Sequence, residues 1–512
     1  MTTPEAAAAQ RALALRLRAV APVLLTDIPE QVPAPAEDAA RLLTRLAGSL
    51  VANPANPRVW LLLSALAAAF PTRDDVDRVR RRLELAKEAD AALFLIDSGL
   101  AMAKQDGSPL ATVQVLTGRV LIDVDFTARH DLHTGIQRVV RQTVPLWNRD
   151  RDVTPVAWTS ARGAFRPLDA AESARTFQWS ATSRRPEAQD ALESELVLIP
   201  WRSVVVLPEV PAVDVTPRIA GIGACSNNKV VAIGHDVIPL VSADTLDIEE
   251  PRKFMSYLSA LKFASRIAGV SHSSTSEFAS FGSMLSSQGL PAPSAIAVTL
   301  PADIGESGGR AIGAESPGTV QDRPDIVVVG SHDTRKNHLA VLHAAEMLWN
   351  DGLEFRLTFI GGGGSNLEFQ RRIEMLSYRG RQVEMRTAVP DDELKAAVGA
   401  ARFTVFPSLH EGYGLPVAES MALGTPVITT DYGATAEIAR GGGAVTVDPR
   451  DDAALTKAMR RLLTDDSEIT RLRAEIDRRA GRNWQAYADE LWDRVVGPTL
   501  DDVARAPVHE GP

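Results

Sequence analysis

A chain of 512 residues with 45% apolar and 23% charged residues is long enough for two or three domains with buried cores, and disorder cannot dominate it. The formal net charge of -10 argues against a mainly electrostatic grip on nucleic acid, whose phosphates would be repelled. The single cysteine, Cys225, leaves no intrachain disulfide, and no Cys/His cluster has structural-zinc spacing, which fits a reducing cytoplasm.

Residues 1–115 are rich in Ala, Leu and Arg and nearly free of strand signals. Val76, Val79, Leu83, Leu85 and Ala86 recur at helical spacing, and Asn53-Pro54 and Phe70-Pro71 divide the region into a few helices. Arg11, Arg16 and Arg18 interrupt the Ala-rich start before a secretory apolar core can form, and the run Val59 to Phe70 is too short to span a bilayer. The expectation is a helical N-terminal module on a cytoplasmic protein, at most peripheral at the inner face of the membrane.

From 116 to 305 strands alternate with helices. Val120 to Val124 reads as an apolar strand, and Thr134-Gly135 as a loop before a helix at 136–147. Further strands are predicted at 195–199, 203–207, 230–233 and 267–270, with a helix around 251–265. Gly, Ser and Pro at 306–323 mark a linker. From 324 to 482 strands are predicted at 326–329, 356–360, 383–386, 403–406 and 426–429, with helices at 337–350, 366–378, 391–399 and 415–423. Unbroken apolar strands suit a parallel sheet buried on both faces. Residues 483–512 read as a C-terminal helix and tail, the helix packing back on the first sheet domain. Two doubly wound domains would thus face a cleft at the carboxyl ends of their strands, where such sheets bind ligands.

The densest motif runs from Pro407 to Glu419. A strand ends at Phe406, a loop with Gly412 and Gly414 follows, and Pro416 sits where a helix begins, with Gly424 at its end. The free N–H groups at that helix start form an anion site, and the glycines would let backbone approach a phosphate closely. Glu411 precedes the helix, and Glu419 lies roughly 6 Å along its axis. A diphosphate at the tip would have hydroxylated groups on both sides, each within reach of one carboxylate. Arg335-Lys336 places cations at another helix start, where they oppose the dipole unless an anion is fixed there. Gly361 to Gly364 lacks the spaced dinucleotide fingerprint and reads as a tight strand-to-helix turn.

His410 to Gly424 resembles the E-x7-E segment of retaining GT-B glycosyltransferases of the group-4 family, and the likeness continues through Thr425 to Ile428 and Val447-Asp448-Pro449. Upstream, Val329 to Asn337 is similar to that family's basic phosphate loop, and Val389 to Leu394 to its nucleotide-binding turn. In the other domain it rests on Thr134 to Arg138 and Gly234 to Leu240. The resemblance implies an α/β GT-B fold: two Rossmann-like, doubly wound parallel-sheet domains facing a cleft, beside the helical module. It implies that Glu411 holds donor-sugar hydroxyls and Glu419 the ribose, with the diphosphate on backbone N–H groups near Gly412, Tyr413, Gly414 and Leu415. Lys336, helped by Arg335, would neutralise the leaving diphosphate; many members carry Arg where this chain has Ser331. His235 would contact donor sugar or acceptor, Gly135 the donor phosphate (with Arg138 a weaker candidate), and Val389 the nucleotide. No metal or other cofactor is expected; Asp123-Val124-Asp125 ends a strand of the other domain. The expected partners are a nucleotide-diphosphate sugar and a glycan or lipid-linked acceptor, for retaining transfer in cell-surface polysaccharide synthesis. An epimerase or phosphorylase on the same fold, or a non-catalytic sugar-nucleotide-binding protein, are the alternatives.

Overall fold

The computed structural model describes residues 4–132, 134–179, 196–301, 323–363 and 366–506. The predicted linker at 306–323 lies outside these, apart from Arg323.

Five helices open the chain: α1 (Pro4–Leu24), α2 (Pro35–Ala52), α3 (Asn56–Ala67), α4 (Arg73–Leu83) and α5 (Glu88–Asp106). Leu42, Leu43, Leu46 and Leu50 form the buried stripe of α2, while α3 is buried all round from Val59 to Ala67. An all-buried helix has to be central. Thr72 starts α4 with a reciprocal capping box to Asp75. The Arg16 guanidinium is buried and donates to the Ala65 carbonyl at 2.8 Å and the Ala111 carbonyl at 2.9 Å, tying α1 to the middle and end of the module.

A nine-stranded sheet follows: β1 (Thr112–Thr117), β2 (Val120–Asp123), β3 (Val153–Trp158), β4 (Phe165–Pro167), β5 (Leu196–Trp201), β6 (Val204–Leu207), β7 (Lys229–Gly234), β8 (Arg266–Gly269) and β9 (Ser294–Ala297). Its order is β1-β5-β4-β3-β2-β6-β7-β8-β9, parallel except that β4 runs antiparallel to β3 and β5. Neighbouring residues point to opposite faces. Leu121, Val205, Leu207 and Val230 share a core with α1–α5, and Val120, Ile122, Val204, Val206 and Val231 share another with the helix Gly135–Asp150 and the C-terminal helices. The helical module is therefore one wall of the first sheet's core. Phe70 makes edge contacts with Trp158 and Phe165, at ring distances of 5.9 and 5.1 Å.

The second sheet has β10 (Asp325–Val329), β11 (Arg356–Ile360), β12 (Val383–Arg386), β13 (Phe403–Phe406), β14 (Val427–Thr430) and β15 (Ala444–Val447). All pairs are parallel, in the order β12-β11-β10-β13-β14-β15. This is the doubly wound order of a Rossmann sheet, with its topological switch point between β10 and β13. The α/β architecture of two sheet domains with an N-terminal helical region matches the sequence expectation. After residue 482 the chain returns to the first domain. Trp484, Tyr487, Leu491 and Val495 pack there, and the Trp147 indole donates to the Ala488 carbonyl at 2.9 Å.

Candidate active site

Two loops leave the second sheet at its switch point. After β10, residues 330–333 lead into a single 3-10 turn, Thr334–Lys336, and a left-handed Asn337 (φ 56°) starts the helix His338–Asn350. The Arg335 carbonyl accepts from the Leu409 amide at 2.9 Å, so this loop is stitched to the one after β13. Glu411, in that second loop, is the focus of both. Its Oε1 accepts from Lys336 Nζ at 2.5 Å, Arg335 Nη1 at 3.0 Å and Ser408 Oγ at 2.5 Å. Burial alone would raise its pKa, but the Lys336 and Arg335 charges outweigh it and hold the carboxyl below its ordinary range. Lys336 lines the cleft; Arg335 lies behind the wall and also donates to the His410 carbonyl.

The helix Leu415–Ala422 starts from Gly414, whose φ of 102° favours glycine, and Pro416 sits one residue inside the expected first position, where it still removes no helical hydrogen bond. The tip opens into the cleft. Packing also constrains the glycines. A Cβ on Gly412 would lie 2.2 Å from the His235 carbonyl of the other domain, and one on Gly414 would lie 2.6 Å from Thr435 Cγ2. Gly412 thus marks close contact between domains. Gly361 likewise passes the Gly330 carbonyl, which a Cβ would meet at 1.9 Å, in keeping with a tight turn; Gly364 lies outside the described residues.

The first domain closes over this site. Thr134 and Gln137 form a capping box at the start of the helix Gly135–Asp150. A Gly135 Cβ would stand 3.3 Å from Leu415 Cδ1, so two helix starts face each other across the cleft. One turn in from each, Arg138 and Glu419 form an ion pair between the domains. His235 follows β7; its Nε2 donates to the Pro208 carbonyl at 2.8 Å, since a carbonyl can only accept, and burial pushes its pKa down to about 4. Asp236 beside it faces the cleft and accepts from the Ile238 amide at 3.0 Å. Further contacts lock the domains. Ser271 Oγ donates to the Gly412 carbonyl at 2.7 Å, and Tyr413 Oη to the Leu300 carbonyl at 2.7 Å. Glu437 caps the helix His272–Ser287 through the amides of His272 and Ser273, and His410 Nε2 meets Glu277 at 2.9 Å.

The resulting cleft holds about 790 Å³, within the range of small-molecule sites. It is lined by Gly135, His235, Lys336, Glu411, Gly412, Tyr413, Gly414, Leu415 and Glu419. Val389 packs beside Val398 in a small apolar cluster, and it is Pro390, Asp391 and Asp392 that reach the cleft. Sequence reasoning did not single out Arg141, Gln142 or Trp179 on the first domain's wall. Arg141 falls three residues after Arg138, a helical step that pointed to it; nothing local announces Trp179. Asp123 and Asp125 are buried, bonded to the Trp158 indole and to Arg129. Among the described residues no three His, Cys, Asp or Glu side chains cluster as metal ligands.

Residues 313–482 match the family model "Glycosyl transferases group 1". The chain is 25% identical to the serotype-specific mannosyltransferase WbdA of Escherichia coli over 63% of its own length and 40% of that protein's. It is 30% identical to the O-antigen chain mannosyltransferase B of Escherichia coli over 27% of its length and 36% of that protein's. It therefore spans less than half the length of these curated relatives. Sucrose-phosphate synthase from Thermosynechococcus elongatus superposes with a TM-score of 0.51 at 16% identity, covering 76% of this chain and 100% of that one. At that identity the likeness concerns the fold. Residues 313–482 thus match the glycosyl transferases group 1 family, in a chain whose two sheet domains have the GT-B fold.

Proposed function

We propose that the protein transfers a hexose or deoxyhexose from a nucleotide-diphosphate sugar to a glycan or lipid-linked acceptor, with retention of anomeric configuration. The observation that carries this reading is Glu411 held by Lys336 and Arg335 beside the open tip of the helix Leu415–Ala422, at the switch point of the second sheet. The tip's N–H groups take the diphosphate, and Lys336 neutralises the charge that grows on it as the anomeric C–O bond breaks. Glu411 accepts from donor-sugar hydroxyls and Glu419 from the ribose. Positive charge at the leaving group then comes from side chains and helix tip rather than a metal. The acceptor oxygen attacks from the face the diphosphate leaves, and its proton passes to the departing phosphate oxygen. Neutral His235 contributes shape and a lone pair rather than charge.

The two curated relatives described above are named as a serotype-specific and an O-antigen chain mannosyltransferase, so GDP-mannose and a surface polysaccharide are the first substrates to try. Work at the inner face of the cytoplasmic membrane would be peripheral, since no helix among the described residues is long and apolar enough to cross one. The test has two parts. Thermal stabilisation by UDP-, GDP-, dTDP- and ADP-sugars identifies the donor, and NMR of the product from that donor reads its anomeric configuration. Glu411→Ala should lower transfer about a hundredfold or more, and it should also lower the melting temperature, because Lys336 and Arg335 lose their buried partner. Full activity in that variant, or an inverted product, would overturn the assignment.

A further inference from the structure

The Arg138–Glu419 pair joins the two domains at the point where the donor reading needs Glu419 for something else. Arg138 is the fourth residue of the helix Gly135–Asp150, and Glu419 the fifth of the helix Leu415–Ala422. Both line the cleft, and their side chains are only 17% and 24% exposed. The guanidinium sits on Glu419 Oε1. A ribose docked side-on sets one of its two neighbouring hydroxyls on each carboxylate oxygen, and Arg138 already takes one acceptor site of Oε1. The guanidinium thus competes with one of those hydroxyls.

We propose that nucleotide binding exchanges the partners of this pair: the ribose takes Glu419, and Arg138 moves to the diphosphate. This rests on the donor reading above and adds a cation to the site that it describes. Three observations favour phosphate as the new partner. The start of the helix Leu415–Ala422 lies about one turn, ~5.4 Å, from the present position along the axis. Gly135, at the start of Arg138's own helix, faces Leu415 at that tip, so the exchange needs no large movement of backbone. The cations nearest the tip on the second domain, Lys336 and Arg335, both meet Glu411, and Lys395 lines the cleft from the helix Asp391–Ala400. A diphosphate carries more charge than one carboxylate and accepts the guanidinium fork bidentately. In the resting molecule Arg138 thus keeps Glu419 ordered and neutralised, and it becomes a phosphate ligand once the nucleotide is in place.

The exchange separates nucleoside from nucleoside diphosphate. Calorimetry would compare UDP, GDP, ADP and dTDP with their nucleosides on wild type, Arg138→Ala, Arg138→Gln and Glu419→Ala. For the base that binds wild type, the two Arg138 variants should weaken the diphosphate about ten- to a hundredfold. They should leave the nucleoside as tight as before or tighter, because Glu419 no longer has to be vacated. Arg138→Lys should restore part of the diphosphate affinity. Equal weakening of both ligands would mean that Arg138 only holds the domains together, and equal tightening that it only blocks Glu419; either overturns the exchange and leaves the donor reading standing. Unchanged diphosphate binding in both Arg138 variants also overturns it. A wild type that binds none of the nucleotides overturns the donor reading, and this inference with it. The Gln variant keeps the volume of the side chain, so a folding defect in the Ala variant does not remove the comparison.

Discussion

Burial beneath the Gly412 loop keeps the His235 imidazole neutral at physiological pH, with a pKa near 4. The sign of its contribution to stability follows from that shift. The folded value is lower than the unfolded ~6.5, so stability from this group is complete above about 6.5 and is lost as pH falls toward 4. Thermal melts from pH 7 to 4 should show a steeper acid loss in wild type than in His235→Gln, although His338, buried and pushed down to about 3, keeps some of that slope in both. Transfer rates should show no inflection near 6.5 from this group; such an inflection, absent in the variant, would refute a buried neutral imidazole. At this scale the sequence was most legible where chemistry is local. Glu411, Gly414 and Lys336 could be singled out because a strand end, a glycine loop and a helix start lie within a few residues of each other. The ion pair of Arg138 with Glu419 could not, because 281 residues separate its members and only domain packing brings them together.

The strands of the second sheet were readable because apolar runs such as Ile326 to Val329 are buried on both faces and need no partner to declare themselves. In the first sheet β3 carries Pro155 and β4 has three residues, so neither has the run or the alternation that marks a strand. β1 begins at Thr112, inside the stretch that reads as wholly helical, and only its pairing with β5 reveals it. Loops obey a stricter rule here than propensity suggests. The turn at Gly412 is glycine because the carbonyl of His235 stands against it. Gly412→Ala would push the domains apart by the width of a methyl group. We expect donor KM to rise and kcat/KM to fall about a hundredfold, as for a small misplacement of catalytic groups, while the melting temperature changes by only a few degrees. Retained activity in a variant whose crystal structure shows the same contact would refute that role.

At the scale of the whole molecule, the composition of residues 1–115 announced helices but not their purpose, since a helical module looks alike whether it stands alone or serves as a wall. Trp60, Phe70, Trp158 and Phe165 lie in one continuous core, which makes the helices part of the first domain's folding unit. Removing residues 1–110 would expose Trp158 and Phe165. The shortened chain should be insoluble or lose its cooperative melt, while 323–482 expressed alone should still melt cooperatively. A soluble, cooperatively folded 111–512 would show that the wall is dispensable. The return of the chain after residue 482 has a mechanical corollary. The chain crosses back near Asn483, and Trp484 and Tyr487 anchor the returning segment in the first lobe's core. The last helices thus make the second lobe's end a built-in part of the first, and a cut near Arg482 would cost the first lobe a covalently supplied piece of its own interior.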